Sequence, residues 1–126
     1  MAVLESKKFE VPHEVREYAR GRLELVRING SVVGRARFEP GWRWSKDMAS
    51  IAGTPSCRAS HYGYQVSGIM HLKMDDGTEG EVHAGEAYFI PPGHDGWVVG
   101  NEPVITVDFT GMPNYAKRVT KKKSEE

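Results

Sequence analysis

The sequence predicts an all-β domain, a closed barrel or jelly roll. Three observations point there. From Gly21 onward the apolar residues recur with a period of two, Gly, Pro, Asn and Asp break them into short runs, and nothing after Gly21 carries the 3.6-residue period of a crossover helix. A strand turns successive side chains to opposite faces, so a period of two is what a sheet with one buried face demands. Roughly eight such runs would leave long unpaired edges in an open sheet, and closure into a barrel or jelly roll removes most of them.

In chain order, residues 1–20 read as an N-terminal arm, with a weak helix signal over Pro12 to Arg20 because proline suits a first helical position. Arg22 to Ile28 and Val32 to Phe38 flank Asn29-Gly30, a pair that tolerates positive φ at both turn positions and so predicts a type I′ hairpin. Gly68 to Met74 and Thr78 to Val82 flank Asp75-Asp76-Gly77 and predict a second hairpin. Ala87 to Ile90 runs into Pro91-Pro92-Gly93, which cannot extend a ladder and must turn. Trp97 to Val99 and Val104 to Phe109, joined by Gly100-Asn101-Glu102-Pro103, read as a third hairpin. The barrel then spans residues 21–112. Residues 113–126, rich in lysine from Tyr115 on and without an apolar face, read as a solvated basic tail.

A chain of 126 residues suits one domain and a core that needs no disulfide or structural metal. Lys and Arg number 17 and so do Asp and Glu, which leaves no net charge to attract nucleic acid or an anionic membrane. The single cysteine, Cys57, excludes an intrachain disulfide and suits a reducing compartment. Met1 to Arg20 lacks the apolar core of a signal peptide, and no apolar stretch approaches the roughly 20 residues of a membrane span. The expectation is a soluble cytoplasmic protein.

Two segments carry a resemblance. Gly85-Glu86-Ala87-Tyr88-Phe89-Ile90-Pro91-Pro92-Gly93 resembles the second sequence motif of the cupin superfamily, and Tyr64-Gln65-Val66-Ser67-Gly68 the end of the first. The likeness covers about residues 40 to 110 and implies a cupin-type jelly-roll β-barrel (a double-stranded β-helix) whose interior often holds one metal on two or three histidines and a glutamate. It also implies a homodimer. The ligand positions depart from the family pattern: His61 falls where the glutamate would stand, Cys57 about where the second histidine of the first motif belongs, and Pro55 at the first. The histidine of the second motif would fall at Gly96, whereas this chain places His94 directly after Gly93.

Candidate metal ligands are therefore Cys57, His61 and His94. Cys57 and His61 are four apart and share a face if the strand is continuous, and with His94 they could hold one divalent ion, zinc, iron, nickel or manganese. The alternative is a small buried thiol beside a hydrogen-bonded histidine, with His94 in an exposed turn. His71 and His83, beside Lys73 and Glu81, read as solvent-facing.

Trp44, Tyr64, Asp95 and Trp97 are candidate ligand-binding residues. Trp42 and Trp44 are two apart, so in extended backbone both indoles point one way, either to wall a ligand or to plug the core. In His94-Asp95-Gly96-Trp97 a carboxylate stands beside an imidazole, and a turn that folds them together would let one orient the other. If the protein is an enzyme, the resemblance implies metal-assisted oxidation or isomerisation, with His94 and Tyr64 handling protons. The leading expectation is a barrel that binds a small organic molecule over one divalent ion. The alternative is a metal-free binding or regulatory module.

Overall fold

The computed structural model of the chain describes residues 3–117. Among the described residues nine strands form two antiparallel sheets: β1 (Glu14–Tyr18), β2 (Gly21–Ile28), β3 (Ser31–Phe38), β4 (His61–Ser67), β5 (Ile69–Met74), β6 (Glu79–His83), β7 (Ala87–Ile90), β8 (His94–Val99) and β9 (Val104–Asp108). The six-stranded sheet runs β1-β2-β3-β9-β4-β7 and the three-stranded sheet β6-β5-β8. The jelly-roll expectation holds, with these two sheets as its walls. No helix among the described residues is long and apolar enough to cross a membrane.

The period of two does what it predicts. Leu23 and Leu25 of β2, Ala36 and Phe38 of β3, Gln65 of β4 and Val104 of β9 are all buried, on every second residue of their strands. Full burial of each leucine stabilises the fold by about 1.5–3 kcal/mol. At the first hairpin Asn29 and Gly30 have φ of 49° and 78°, and Ile28 pairs with Ser31 across them. The second hairpin pairs β5 with β6, and β7 occupies the predicted span.

The predicted third hairpin does not form. Its strands exist, but β8 pairs with β5 in one sheet while β9 lies between β3 and β4 in the other. Both edges of β9 are taken, so none is left for β8. The chain makes the reverse crossing at Gly68, which joins β4 to β5 with φ of 77° and lies so close to the first crossing that a Cβ would stand 2.6 Å from the Pro103 carbonyl. Two sheet changes meet at this corner, and turn composition alone does not distinguish them from hairpins.

The helix expected over Pro12 to Arg20 is instead β1. A helix that short is marginal in water, whereas the strand gains a ladder with β2. Its Arg16 guanidinium donates to the carbonyls of Met112, Pro113 and Tyr115 at 2.7–3.3 Å and so fastens the chain after β9. Tyr115 corrects the expectation of a wholly solvated segment from that residue on, because its ring is buried against Tyr18, Phe38 and His61. Residues 118–126 of the expected tail lie outside the described residues.

Between β3 and β4 the chain forms two single-turn helices, α1 (Trp44–Asp47) and α2 (Ala49–Ala52), where extended backbone was expected. Four residues are too few to show a helical period. The buried Asp47 carboxylate holds the first turn by accepting from the Arg43 N–H at 3.0 Å and pairing with Arg20.

Candidate metal centre

Three backbone devices bring Cys57, His61 and His94 together. Cys57 and His94 form an isolated bridge, in which the Cys57 N–H donates to the His94 carbonyl at 2.8 Å and the Gly93 N–H to the Cys57 carbonyl at 2.7 Å. His61 opens β4 on its inward parity, opposite Ile90. The chain after β9 then passes directly over His61 at Gly111, where φ is 82° and a Cβ would stand 2.2 Å from the Ser60 carbonyl oxygen and 2.9 Å from His61 Nδ1.

The three side chains are 3, 5 and 4% exposed respectively, and one donor atom from each lies within 4.8 Å of the others. Cys57 Sγ is 3.6 Å from His61 Nε2. Zinc bound tetrahedrally by sulfur and nitrogen spaces such a pair about 3.5 Å apart, so this edge needs almost no adjustment.

Each histidine has its other nitrogen engaged. His61 Nδ1 lies 3.1 Å from Asp108 Oδ2, and His94 Nδ1 lies 2.7 Å from the Pro91 carbonyl. Both acceptors call for an Nδ1–H, which leaves Nε2 as the free nitrogen on each ring. Asp108, only 1% exposed, is itself held by the Tyr88 hydroxyl at 3.1 Å and the Thr110 N–H at 3.0 Å.

His61, His94 and Asp108 line an interior cavity of about 50 Å³ together with Trp42, Trp44, Met70 and Leu72. That is room for a few waters or a very small molecule. Trp42 Nε1 is the one buried side-chain nitrogen or oxygen without a hydrogen-bond partner among the described residues. A buried donor left unpaired is costly, so an acceptor in the adjoining cavity would relieve it.

The backbone is similar to several solved structures. An RmlC-like cupin from Shewanella frigidimarina is similar at a TM-score of 0.51 and 18% identity, covering 79% of this chain and 85% of its own. KdgF from a Halomonas species is similar at a TM-score of 0.53 and 12% identity, over 90% of this chain and 92% of its own. The chain has the cupin fold. A protein of unknown function from Acidithiobacillus ferrooxidans is also similar, at a TM-score of 0.55 and 18% identity, over 76% of this chain and 85% of its own. No family model matches the sequence. No curated protein matches it either. At such identities the likeness concerns the fold, and the chemistry rests on the residues.

Within this cupin barrel the remaining candidates divide. Trp44 is buried and lines the cavity, as does Trp42, which also packs on Phe38 with ring centroids 4.4 Å apart. Tyr64 does not belong to the pocket. It is three residues from His61 on β4, so strand alternation turns it to the outer face, where it is 44% exposed. Trp97 is likewise three residues from His94 and faces outward on β8, stacked on His71 at 4.5 Å with the Arg43 guanidinium 4.3 Å over its ring.

Asp95 does not orient His94 but accepts from Arg43 Nε at 3.1 Å and the Ser45 N–H at 2.9 Å, and so anchors both neighbours of Trp44. Asp108 takes the role expected of Asp95, toward the other histidine. The sequence held one signal for it, a carboxylate on the buried parity of β9 in line with Val104 and Thr106. His71 and His83 face the acidic side chains of β6, away from the cavity.

Burial alone would raise the Cys57 thiol, but hydrogen bonds and charge from His61 and His94 outweigh it and bring its pKa down to about 6. Burial also opposes charge on His61, yet the bonds to Asp108 and Cys57 outweigh it and lift its pKa to about 9. Near neutral pH the metal-free pair is therefore thiolate and imidazolium. The His61 contribution to stability is complete below its ordinary 6.5 and lost as pH rises through about 9. The Cys57 contribution is complete above its ordinary 9.0 and lost as pH falls through about 6. Across the shared window one grows as the other fades, because folded and unfolded pairs carry the same single proton. Thiolate ultraviolet absorbance of metal-free protein is thus expected to titrate near 6, while denaturant titrations show no net slope from this pair between about 6.5 and 9. A thiolate midpoint at the ordinary value would contradict the coupling.

Proposed function

We propose that the chain binds one transition-metal ion through Cys57, His61 and His94 and presents it to a small organic molecule. The observation that carries this reading is the fastening of both imidazoles, His61 by Asp108 and His94 by the Pro91 carbonyl, with Cys57 Sγ 3.6 Å from the free nitrogen of His61. Metal-ligating histidines characteristically give their second nitrogen to a carboxylate or carbonyl. The mixed sulfur and nitrogen set favours zinc or iron, then nickel, over manganese.

Three protein donors leave a fourth position open, and an ion there polarises an oxygen-bearing group. The chain's own residues supply the rest. Asp108 keeps His61 aimed, Met70 and Leu72 give the inner cavity an apolar wall, and Trp42 Nε1 offers a donor to a water or other very small oxygen ligand there. Burial and the adjacent Asp108 charge raise the Tyr88 phenol well above its usual range, so it stays protonated and holds the carboxylate in place. Metal-assisted oxidation or isomerisation is the reaction class, with His94 serving as ligand instead of proton carrier.

Equilibrium dialysis against zinc, iron, nickel and manganese, followed by metal analysis, tests the reading. One equivalent of ion is expected, and Asp108→Asn is expected to weaken it about 10–100-fold while the chain stays folded. No uptake of any of the four removes the reading. A second reading is favoured by the same row of atoms, since Cys57, His61 and Asp108 also stand in the order of a thiol, its base and the orienter of that base. It predicts a metal-free barrel in which iodoacetamide alkylates Cys57 rapidly and His61→Gln slows it.

A further inference from the structure

The interior of the barrel is too small for an organic ligand of ordinary size. Its cavity of about 50 Å³ compares with about 300–1,000 Å³ in pockets that bury such molecules. A cleft of about 450 Å³ lies directly outside, between the α1–α2 segment and residues 111–117. Trp44 and Tyr115 line both hollows and so separate them, and Cys57 of the donor cluster lines the outer one. The candidate donors therefore divide between them, with His61 and His94 on the inner space and Cys57 on the outer.

The lining of the cleft is chemically one-sided. Trp44, Met48 and Ile51 give it an apolar wall, and among the described residues none that lines it is a carboxylate. Its charged members are Arg58 and Lys117, both exposed. Arg58 pairs with Asp75 at 3.2 Å across the surface, a contact that water and salt screen, so its guanidinium remains able to take a better-placed anion.

We propose that this cleft binds a small organic carboxylate, its apolar body against Trp44, Met48 and Ile51 and its anionic end at Arg58 and Lys117. The proposal deepens the metal reading by naming the class of molecule and the side from which it meets Cys57. Binding itself depends on the lining of the cleft and is measured with metal removed.

Isothermal titration calorimetry of the full, metal-free chain with hexanoate, hexan-1-ol and hexylamine is the test. Hexanoate is expected to bind at least about tenfold more tightly than either analogue, because only it completes a charge-assisted pair. Arg58→Ala combined with Lys117→Ala is expected to remove that preference without changing the melting temperature, since both side chains are exposed. Ala52→Trp, which fills the cleft from α2, is expected to abolish binding. Equal affinity for the three probes, no heat with hexanoate at millimolar concentration, or full hexanoate binding by Ala52→Trp would each overturn the proposal. Failure of the metal reading is distinct, because it removes ion uptake and leaves hexanoate binding intact.

Discussion

Substituting His61 by alanine is expected to abolish stoichiometric metal uptake, the largest single effect open to the site. Zinc held by such donors is worth about 10–16 kcal/mol in small structural sites, so one of three ligands carries on the order of 3–5 kcal/mol, a loss of roughly 10²–10⁴-fold in affinity. The substitution also takes one partner from the buried Asp108 carboxylate, but the Tyr88 hydroxyl and the Thr110 N–H still hold it. The variant should therefore melt earlier and remain folded. Metal analysis of the dialysed variant beside circular dichroism separates the two effects. A folded variant that retains one equivalent of ion would exclude His61 as a ligand.

The second large effect is expected at a residue with no side chain. Gly111→Ala would place a methyl group 2.2 Å from the Ser60 carbonyl and 2.9 Å from His61 Nδ1, at a φ of 82° that alanine rarely adopts. Left-handed strain costs about 1–3 kcal/mol and forced overpacking a similar amount, so a destabilisation of roughly 2–6 kcal/mol follows. The displaced segment is the one that crosses His61, so the bond from His61 to Asp108 should be disturbed as well. Denaturant unfolding gives the first quantity and metal affinity the second. A variant as stable as the parent would show that the chain after β9 does not press on the site.

The sequence made most of the strands legible and about half of the site. Period-two alternation and the Asn29-Gly30 and Asp75-Asp76-Gly77 turns depend on neighbours along the chain, so they could be read from it. Cys57, His61 and His94 could be named because their places relative to Gly68 and Gly93 in the motif-like segments, and the four-residue step from Cys57 to His61, are local to the chain. Tyr64 and Trp97 were misplaced although parity was available, since each lies an odd number of residues from the histidine it was to serve. Asp108 escaped notice because its partner depends on β9 pairing with β4, a register that brings together residues 47 apart in the chain. The same nonlocality hid the sheet change between β8 and β9. The outer cleft was beyond reach because α1 and α2 are single turns with no readable period.

The two candidate imidazoles come from different sheets: His94 opens β8 on the three-stranded side, whereas His61 and the Asp108 that holds it belong to the six-stranded side. The bond that holds His61 exists only where β9 pairs with β4. An ion held as proposed by His61 and His94 would tie one sheet to the other. Free ion at a hundred times its dissociation constant would then add about 2.7 kcal/mol against separation of the sheets, so the unfolding midpoint would rise with the concentration of free metal.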